Sequence, residues 1–137
     1  DYLDQLRRDP QEASRLFRDL LIGVTRFFRD ADAFDALERL VVPALFDGRG
    51  ADASVRVWVP GCATGEEAYS IAILLHERMA ELPARPRVQI FATDIDDAAL
   101  KVARAGRYPA TMLDGVVSPE RQARYFTADG ETLVLRR

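Results

Sequence analysis

Residues 55–67 read Val-Arg-Val-Trp-Val-Pro-Gly-Cys-Ala-Thr-Gly-Glu-Glu. Valine alternates with larger residues over Val55–Val59, which predicts a strand with its valines on one face. The strand ends before Gly61, and helical periodicity begins at Glu66 after a turn of small residues. Such a junction aims unpaired backbone N–H groups and the positive end of a helix dipole at one point. This stretch therefore predicts a cradle for a carboxylate or a phosphate.

The residues that follow predict a βαβ unit. The helix that begins at Glu66 is expected to end at Leu82, and Val88–Ala92 reads as a second strand, parallel to the first. Asp94 comes just past the carboxyl end of that strand, where ligands bind in open α/β sheets. Backbone N–H groups for an anionic end and a carboxylate for ribose hydroxyls are what a nucleoside needs. The alternative interpretation of Asp94 is a turn former.

The composition of the turn indicates which nucleoside. It lacks G-x-G-x-x-G, because Ala63 and Glu66 stand at the second and third glycine positions, and it lacks the Lys-Ser/Thr of a phosphate-binding loop. Glu66 and Glu67 would repel a pyrophosphate but attract a cationic amine or sulfonium. This chemistry favours S-adenosylmethionine over NAD. Glutamates that only complement the helix dipole are the simpler alternative.

Composition limits the class of protein. The chain has 137 residues, 48% hydrophobic and 30% charged, which fits one globular domain with a modest core. A formal charge of −3 gives no general reason to expect nucleic acid or an anionic membrane as partner. No apolar run approaches the roughly 20 residues of a membrane span, and no signal-peptide pattern opens the chain. We therefore expect neither a nucleic-acid partner nor membrane insertion.

The chain holds a single cysteine, Cys62, and a single histidine, His76. This excludes an internal disulfide and a cysteine/histidine zinc site, so no metal is predicted and a reducing cytoplasm is the expected compartment. His76 is expected to face solvent or a neighbour and is assigned no chemistry. The chain has no initiator methionine, and Glu131–Arg137 reads as a strand cut short, so we expect a piece of a longer protein.

Helical periodicity dominates the residues before the first strand. Helices are predicted over residues 2–8, 11–22 and 30–45. Pro43 weakens the last turn of the third helix, and a polar linker follows over residues 46–54. The expected organisation is a helical element with its linker over residues 1–48, and the N-terminal half of an α/β domain over residues 49–137.

The segment between the second and third helices reads Gly23-Val-Thr-Arg-Phe-Phe-Arg-Asp30. Its adjacent phenylalanines cannot point the same way, so the segment is expected to be anchored in a neighbouring layer. Thr25 and Arg29 share a face if the backbone is helical, and the alternative is a cap with a solvated arginine.

Two further helices are predicted near the end of the chain. One covers Asp97–Ala105 and stops at Gly106; the other covers Ser118–Phe126 and opens with Ser-Pro-Glu, a helix-start signal.

Five motifs together resemble the CheR family of chemotaxis receptor methyltransferases, and residues 20–30 are especially similar to the CheR part of CheB/CheR-type fusion proteins. The resemblance covers essentially the whole chain, with the motifs in the right order and spacing. The motifs are Gly-Val-Thr-Arg-Phe-Phe-Arg-Asp (23–30), Pro-Gly-Cys-Ala-Thr-Gly-Glu-Glu-Ala-Tyr-Ser-Ile-Ala (60–72), Phe-Ala-Thr-Asp-Ile-Asp (91–96), Ala-Arg-Ala-Gly-Arg-Tyr-Pro (103–109) and Arg-Tyr-Phe (124–126).

The resemblance implies a Rossmann-like class I S-adenosylmethionine methyltransferase fold, truncated, after a short all-α N-terminal element. It implies a protein-glutamate O-methyltransferase that acts on chemoreceptor helices and releases S-adenosylhomocysteine. By motif position, Thr25, Arg29 and Glu67 should line the cofactor site and Asp94 should hold the ribose, beside the turn at Gly61. Arg29 is also the candidate catalytic residue, expected to orient the acceptor carboxylate.

The chain departs from the family pattern in two places. Members often carry asparagine where this chain has Gly23, so a side-chain contact from that position is absent. Members also continue with further strands and an asparagine-containing segment that contacts the cofactor, neither of which comes before Arg137.

Two other function classes stay open at this point. They are a non-catalytic CheR-like sensory or interaction module in a multidomain signalling protein, and a nicotinamide-dependent enzyme, which the missing glycines disfavour. Exposed strand edges further suggest the hypothesis that two copies pair.

Overall fold

The computed structural model of the chain describes residues 1–21 and 23–136. The helices are α1 Tyr2–Arg8, α2 Pro10–Leu20, α3 Ala31–Ala36, α4 Val42–Phe46, α5 Glu66–Ala80, α6 Asp97–Ala105 and α7 Pro119–Tyr125, with a π-helical turn at Leu37–Val41 and a 3₁₀ turn at Ala110–Met112. The strands are β1 Ser54–Pro60, β2 Arg87–Thr93, β3 Arg107–Pro109, β4 Phe126–Asp129 and β5 Thr132–Leu135.

A parallel pair of strands joined by a helix forms the centre of the structure. β1 pairs with β2 in parallel, with Val55 opposite Val88, and α5 connects them. The predicted alternation in β1 is confirmed, because Val55 and Val59 are buried while Trp58 is 67% exposed on the other face. The predicted βαβ unit is therefore present, and both strands end at the edge that carries the glycine turn.

The ends of the later helices follow the predicted signals. α6 covers Asp97–Ala105 as predicted; the side chain of Asp96 accepts the N–H groups of Ala98 and Ala99, and the helix ends at Gly106 in the left-handed conformation (φ +60°). α7 begins after Ser118, whose hydroxyl accepts the N–H of Arg121 at 3.2 Å. Local capping chemistry is sufficient to set these bounds.

A second, antiparallel sheet was not predicted. Its strand order is β3-β5-β4, so β5 is paired on both sides. The strand predicted within Glu131–Arg137 is confirmed for Thr132–Leu135, while Arg137 lies outside the described residues. The overlooked signal was Gly130, which with Glu131 connects β4 to β5 and has φ +61°, because a two-residue loop that begins with glycine is typical of a tight hairpin.

The long helix predicted over residues 30–45 is present as α3, the π-helical turn and α4. Pro43 explains the interruption, because it has no N–H to donate to the carbonyl of Arg39 and its ring would clash with that carbonyl. Immediately before Pro43 the hydrogen-bond spacing lengthens by one residue, because the N–H of Val42 bonds to the carbonyl of Leu37, five residues earlier. Val42 and Phe46 then pack against Val55 of β1 and the α5 leucines.

Residues 23–30 are not helical, so Thr25 and Arg29 do not share a helical face. Residues 23–26 have no regular structure, and Phe27 and Phe28 form a turn. The reason is the anchoring of the two rings. Phe27 is fully buried, 5.0 Å from the ring of Tyr108 and 5.8 Å from that of Phe126, while Phe28 packs edge-on to Phe34. The prediction of an anchored segment is confirmed.

None of the helices within the described residues combines the length and the apolar character that a membrane-spanning helix requires.

The buried ring of Phe27 is expected to be a main stabilising contact between residues 23–30 and the antiparallel sheet. Phe27→Ala should lower the free energy of unfolding by roughly 3–5 kcal/mol, since it removes a fully buried ring. Phe17→Ala removes the same group from a site that is 54% exposed and should cost about 0.5 kcal/mol or less. Urea denaturation of both variants measures the difference; equal losses would contradict the assignment of Phe27 to the core.

Candidate functional site

The turn between β1 and α5 has a backbone that few residues adopt. Gly61 (φ +64°), Ala63 (φ +44°) and Gly65 (φ +98°) are all left-handed. At Gly65 a Cβ would lie 2.9 Å from the Cβ of Ala103, so glycine is required there for α6 to approach. At Gly61 a Cβ would meet nothing within 4 Å. Gly65 therefore serves packing, whereas the backbone of Gly61 borders open space.

Asp94 holds this turn against the end of β2. Its Oδ2 accepts the N–H of Ala63 at 2.7 Å, and its Oδ1 accepts the N–H of Asp96 at 2.8 Å. The N–H of Cys62 donates to the carbonyl of Thr93 at 3.0 Å in parallel. These backbone hydrogen bonds lower the pKa of Asp94, because they favour its ionised form. The structure thus brings the Gly61 turn and Asp94 together as predicted, and gives Asp94 a structural role as well.

The two glutamates at the start of α5 have different environments. Glu66 is 1% exposed and its Oε2 accepts the hydroxyl of Thr64 at 2.6 Å, whereas Glu67 is exposed. Glu66 therefore belongs to the interior of the turn, and Glu67 is the carboxylate that a ligand can reach.

Tyr108 supports the turn from the other sheet. Its hydroxyl donates to the carbonyl of Thr64 at 2.7 Å. Burial first, and then the nearby charge of Glu66, raise the pKa of Tyr108, so the phenol keeps the proton that it donates. Sequence reasoning missed this residue, because its role depends on a contact between positions 44 apart.

A single serine joins the segment before α3 to the start of α5. The hydroxyl of Ser70 accepts the N–H of Phe28 at 3.0 Å and donates to the carbonyl of Glu66 at 2.7 Å. Arg29 follows directly; it is exposed and its Nη1 donates to the carbonyl of Val24 at 2.7 Å. Thr25 is half-buried in the same segment. The segment that carries Thr25 and Arg29 is thereby fixed to the first turns of α5.

An exposed apolar side chain lies beside Asp94. Ile95 is 73% exposed, between the two aspartates. It borders a groove of about 520 Å³ that separates α2 from the start of α6. The groove is lined on the α2 side by Ala13, Ser14, Phe17 and Leu21, and on the other by Ile95, Asp96, Asp97, Ala98 and Lys101. An exposed apolar side chain next to a carboxylate was a signal in Thr-Asp-Ile-Asp that sequence reasoning did not use.

Residues 23–134 match the family model described as "CheR methyltransferase, SAM binding domain". The chain belongs to the CheR methyltransferase family. It has the Rossmann-like fold of these S-adenosylmethionine-dependent enzymes, of which the β1–α5–β2 unit is a part. The family model indicates S-adenosylmethionine as the ligand, so the nicotinamide alternative is set aside.

Three relatives illustrate the similarity. A Rhodobacter capsulatus protein named "Uncharacterized 104.1 kDa protein in hypE 3'region" is 36% identical over 98% of this chain and 14% of its own length. Chemotaxis protein methyltransferase 1 of Pseudomonas aeruginosa is 36% identical over 77% of the chain and 39% of its own length. The chemotaxis protein methyltransferase of Listeria innocua is 32% identical over 96% of the chain and 48% of its own length. The chain thus spans less than half the length of each.

The residues present fit this CheR ligand. The open space beside Gly61 admits a group close to the backbone, and Glu67 is an exposed anion for a cationic one. Each carboxylate oxygen of Asp94 accepts a backbone N–H and has a further lone pair for a hydroxyl. A cationic amino acid joined to a nucleoside matches this donor and acceptor set.

Gly61 and Gly48 form a matched pair for testing the cradle. Both have φ +64°, and neither has an atom within 4 Å of an added Cβ. Alanine at either should cost about 1–2 kcal/mol of stability, because it adopts the left-handed region poorly. Only Gly61→Ala should weaken binding of S-adenosylhomocysteine, by about tenfold, since its methyl enters the space beside the turn. Calorimetry measures the affinity; equal affinity in the two variants would contradict the cradle.

Asp94→Asn should destabilise the turn in a pH-dependent way. The amide can accept only one of the two N–H groups, so stability at pH 7 should fall by about 1–2 kcal/mol. A carboxylate with a lowered pKa stabilises the fold above its unfolded-state pKa, and this contribution disappears as pH falls through the folded-state pKa. The difference from the unsubstituted protein should therefore shrink at pH 3. Urea denaturation at both pH values measures this difference in unfolding free energy, and Asp52→Asn in the exposed linker is the control. A difference that is the same at both pH values would contradict the role of the Asp94 carboxylate in bracing the turn.

Proposed function

We propose that this chain forms the cofactor-binding part of a protein-glutamate O-methyltransferase of chemotaxis-type signalling, which methylates glutamate carboxylates on receptor helices in the cytoplasm. The hydrogen bond between the Asp94 carboxylate and the N–H of Ala63 is the main support, because it places a carboxylate beside the glycine turn that follows β1. The names of the Pseudomonas and Listeria relatives, which are chemotaxis protein methyltransferases, support the substrate class.

Five residues divide the recognition of S-adenosylmethionine. The backbone at Gly61 approaches the amino-acid end, and Glu67 pairs with its cationic amine. Asp94 accepts the ribose hydroxyls with its remaining lone pairs. Ile95, exposed next to it, offers an apolar surface for the flat purine ring. Thr25 contributes from the segment that Ser70 fixes to α5.

The chemistry asks little of the protein beyond positioning. S-adenosylmethionine supplies a methyl group activated by its sulfonium. The acceptor glutamate, with a pKa of about 4.3, is already ionised at neutral pH and needs no general base. The protein's residues hold the two reactants in line and exclude water. Methyl transfer therefore requires neither a histidine nor a further carboxylate to act as a base on the acceptor glutamate.

Arg29 aligns the acceptor carboxylate. Its side chain is exposed, and one nitrogen is held by the carbonyl of Val24, which leaves other guanidinium N–H groups free to reach a substrate. A bidentate contact would orient the glutamate, although too tight a pairing would reduce its nucleophilicity. The role of Arg29 is thus orientation rather than activation.

The test uses the intact protein and Arg26, an exposed arginine of the same segment, as control. Arg29→Ala should lower transfer of radiolabelled methyl groups to a receptor fragment about a hundredfold with the melting temperature unchanged, because misplaced reactants cost that much. Arg26→Ala should change neither. If Arg29→Ala lowers activity and melting temperature in parallel, Arg29 is a structural residue.

A second candidate has one observation in its favour: in the Rhodobacter relative the matching region is 14% of the length, as in a multidomain protein. In such a protein the same fold can act as a non-catalytic module that binds S-adenosylmethionine. Binding of S-adenosylhomocysteine without methyl transfer to any receptor fragment would favour this second function.

A further inference from the structure

One arginine outside the cradle contacts three other elements at once. Arg121, on α7, donates from Nε and Nη2 to the two carboxylate oxygens of Glu77 on α5, at 3.0 and 2.7 Å. Nη2 also lies 3.2 Å from Oε1 of Glu38 in the π-helical turn. The same guanidinium stacks over the ring of Phe28, 4.9 Å from its centroid. Arg121 thus joins α7, α5 and the π-helical turn to the segment that precedes α3.

The residue beneath this guanidinium is strained. Phe28 has φ +46° and Asp30 has φ +59°, so Arg29 lies between two non-glycine residues in the left-handed region. Bulky side chains adopt this region only where the surroundings enforce it, and such residues cluster at functional sites. Here the backbone N–H of Phe28 is held by Ser70, and its ring contacts both Phe34 and Arg121.

We propose that Arg121 is a positioning residue for Arg29, acting through the ring of Phe28. The guanidinium holds the ring, the ring holds the left-handed turn, and the turn sets the direction in which Arg29 leaves the backbone. The effect on methyl transfer rests on the function proposed above, whereas the effect on the turn does not.

The chemistry of the contact favours arginine over lysine. A planar guanidinium can donate two parallel hydrogen bonds to one carboxylate while its face stacks on an aromatic ring, which an ammonium cannot do. Glu77 and Arg121 are each about 24% exposed, so this pair is partly shielded from water, whereas Glu38 is 47% exposed and adds less. The bidentate pair with Glu77 therefore orients the guanidinium plane against Phe28.

Arg124 is the matched control, because it lies on the same helix, is exposed, and stacks on Tyr125 instead of Phe28. In the intact protein, Arg121→Gln should speed hydrogen exchange of the Phe28 amide, which is hydrogen-bonded to Ser70, about tenfold, the size expected for loss of a partly shielded cation–π contact, while β1 is unchanged. Arg124→Gln should leave exchange of the Phe28 amide unchanged, and Arg121→Lys should give an intermediate value. Unchanged exchange in Arg121→Gln, or equal acceleration in β1, would overturn the proposal.

A double-variant comparison tests the route through Arg29. Arg121→Gln should lower methyl transfer about tenfold in the unsubstituted protein but have no further effect in the Arg29→Ala background, because residues that act as one unit are not additive. Equal factors in both backgrounds would show a merely structural role. If the intact protein transfers no methyl group, the proposed function fails, and the exchange experiment still decides whether Arg121 positions the turn.

Discussion

The hydrogen bond from the N–H of Ala63 to the carboxylate of Asp94 is the contact on which the site depends. It links the turn after the first parallel strand to the residues after the second, across positions 31 apart. A left-handed alanine is costly by itself, and an ionised acceptor that bonds its N–H compensates for that cost. The same carboxylate is the one that we propose accepts the ribose hydroxyls, so on that proposal one side chain serves both structure and recognition.

A second layer of contacts builds outward from this bond. The hydroxyl of Ser70 connects the first turn of α5 to the backbone of Phe28. The neighbouring Phe27 packs in the core with Tyr108 and Phe126 and so anchors residues 23–30. Tyr108 in turn donates to the carbonyl of Thr64 inside the cradle. The antiparallel sheet and the segment before α3 therefore both support the turn, although neither belongs to the parallel strand pair.

Local patterns in the sequence predicted much of this architecture. Alternating valines gave β1, and capping residues gave the bounds of α6 and α7, because these signals act within a few residues. The antiparallel sheet was not predicted, because strands of three or four residues are too short to show alternation. The helical alternative for Thr25 and Arg29 failed, because burial of Phe27 and the contacts of Phe28 override local spacing.

The sequence by itself determined the family, the βαβ unit and the presence of an acidic residue beside a glycine turn, all of which depend on residue order and local periodicity. Only the tertiary structure distinguished Glu66 from Glu67, because which of two adjacent helical residues is buried depends on what packs there. It also decided that Asp94 braces the turn and that Arg121 reaches Phe28. The Asp94 contact joins residues 31 positions apart, and the Arg121 contact joins residues 93 positions apart. Such contacts exist only after the chain has folded, so no local pattern encodes them.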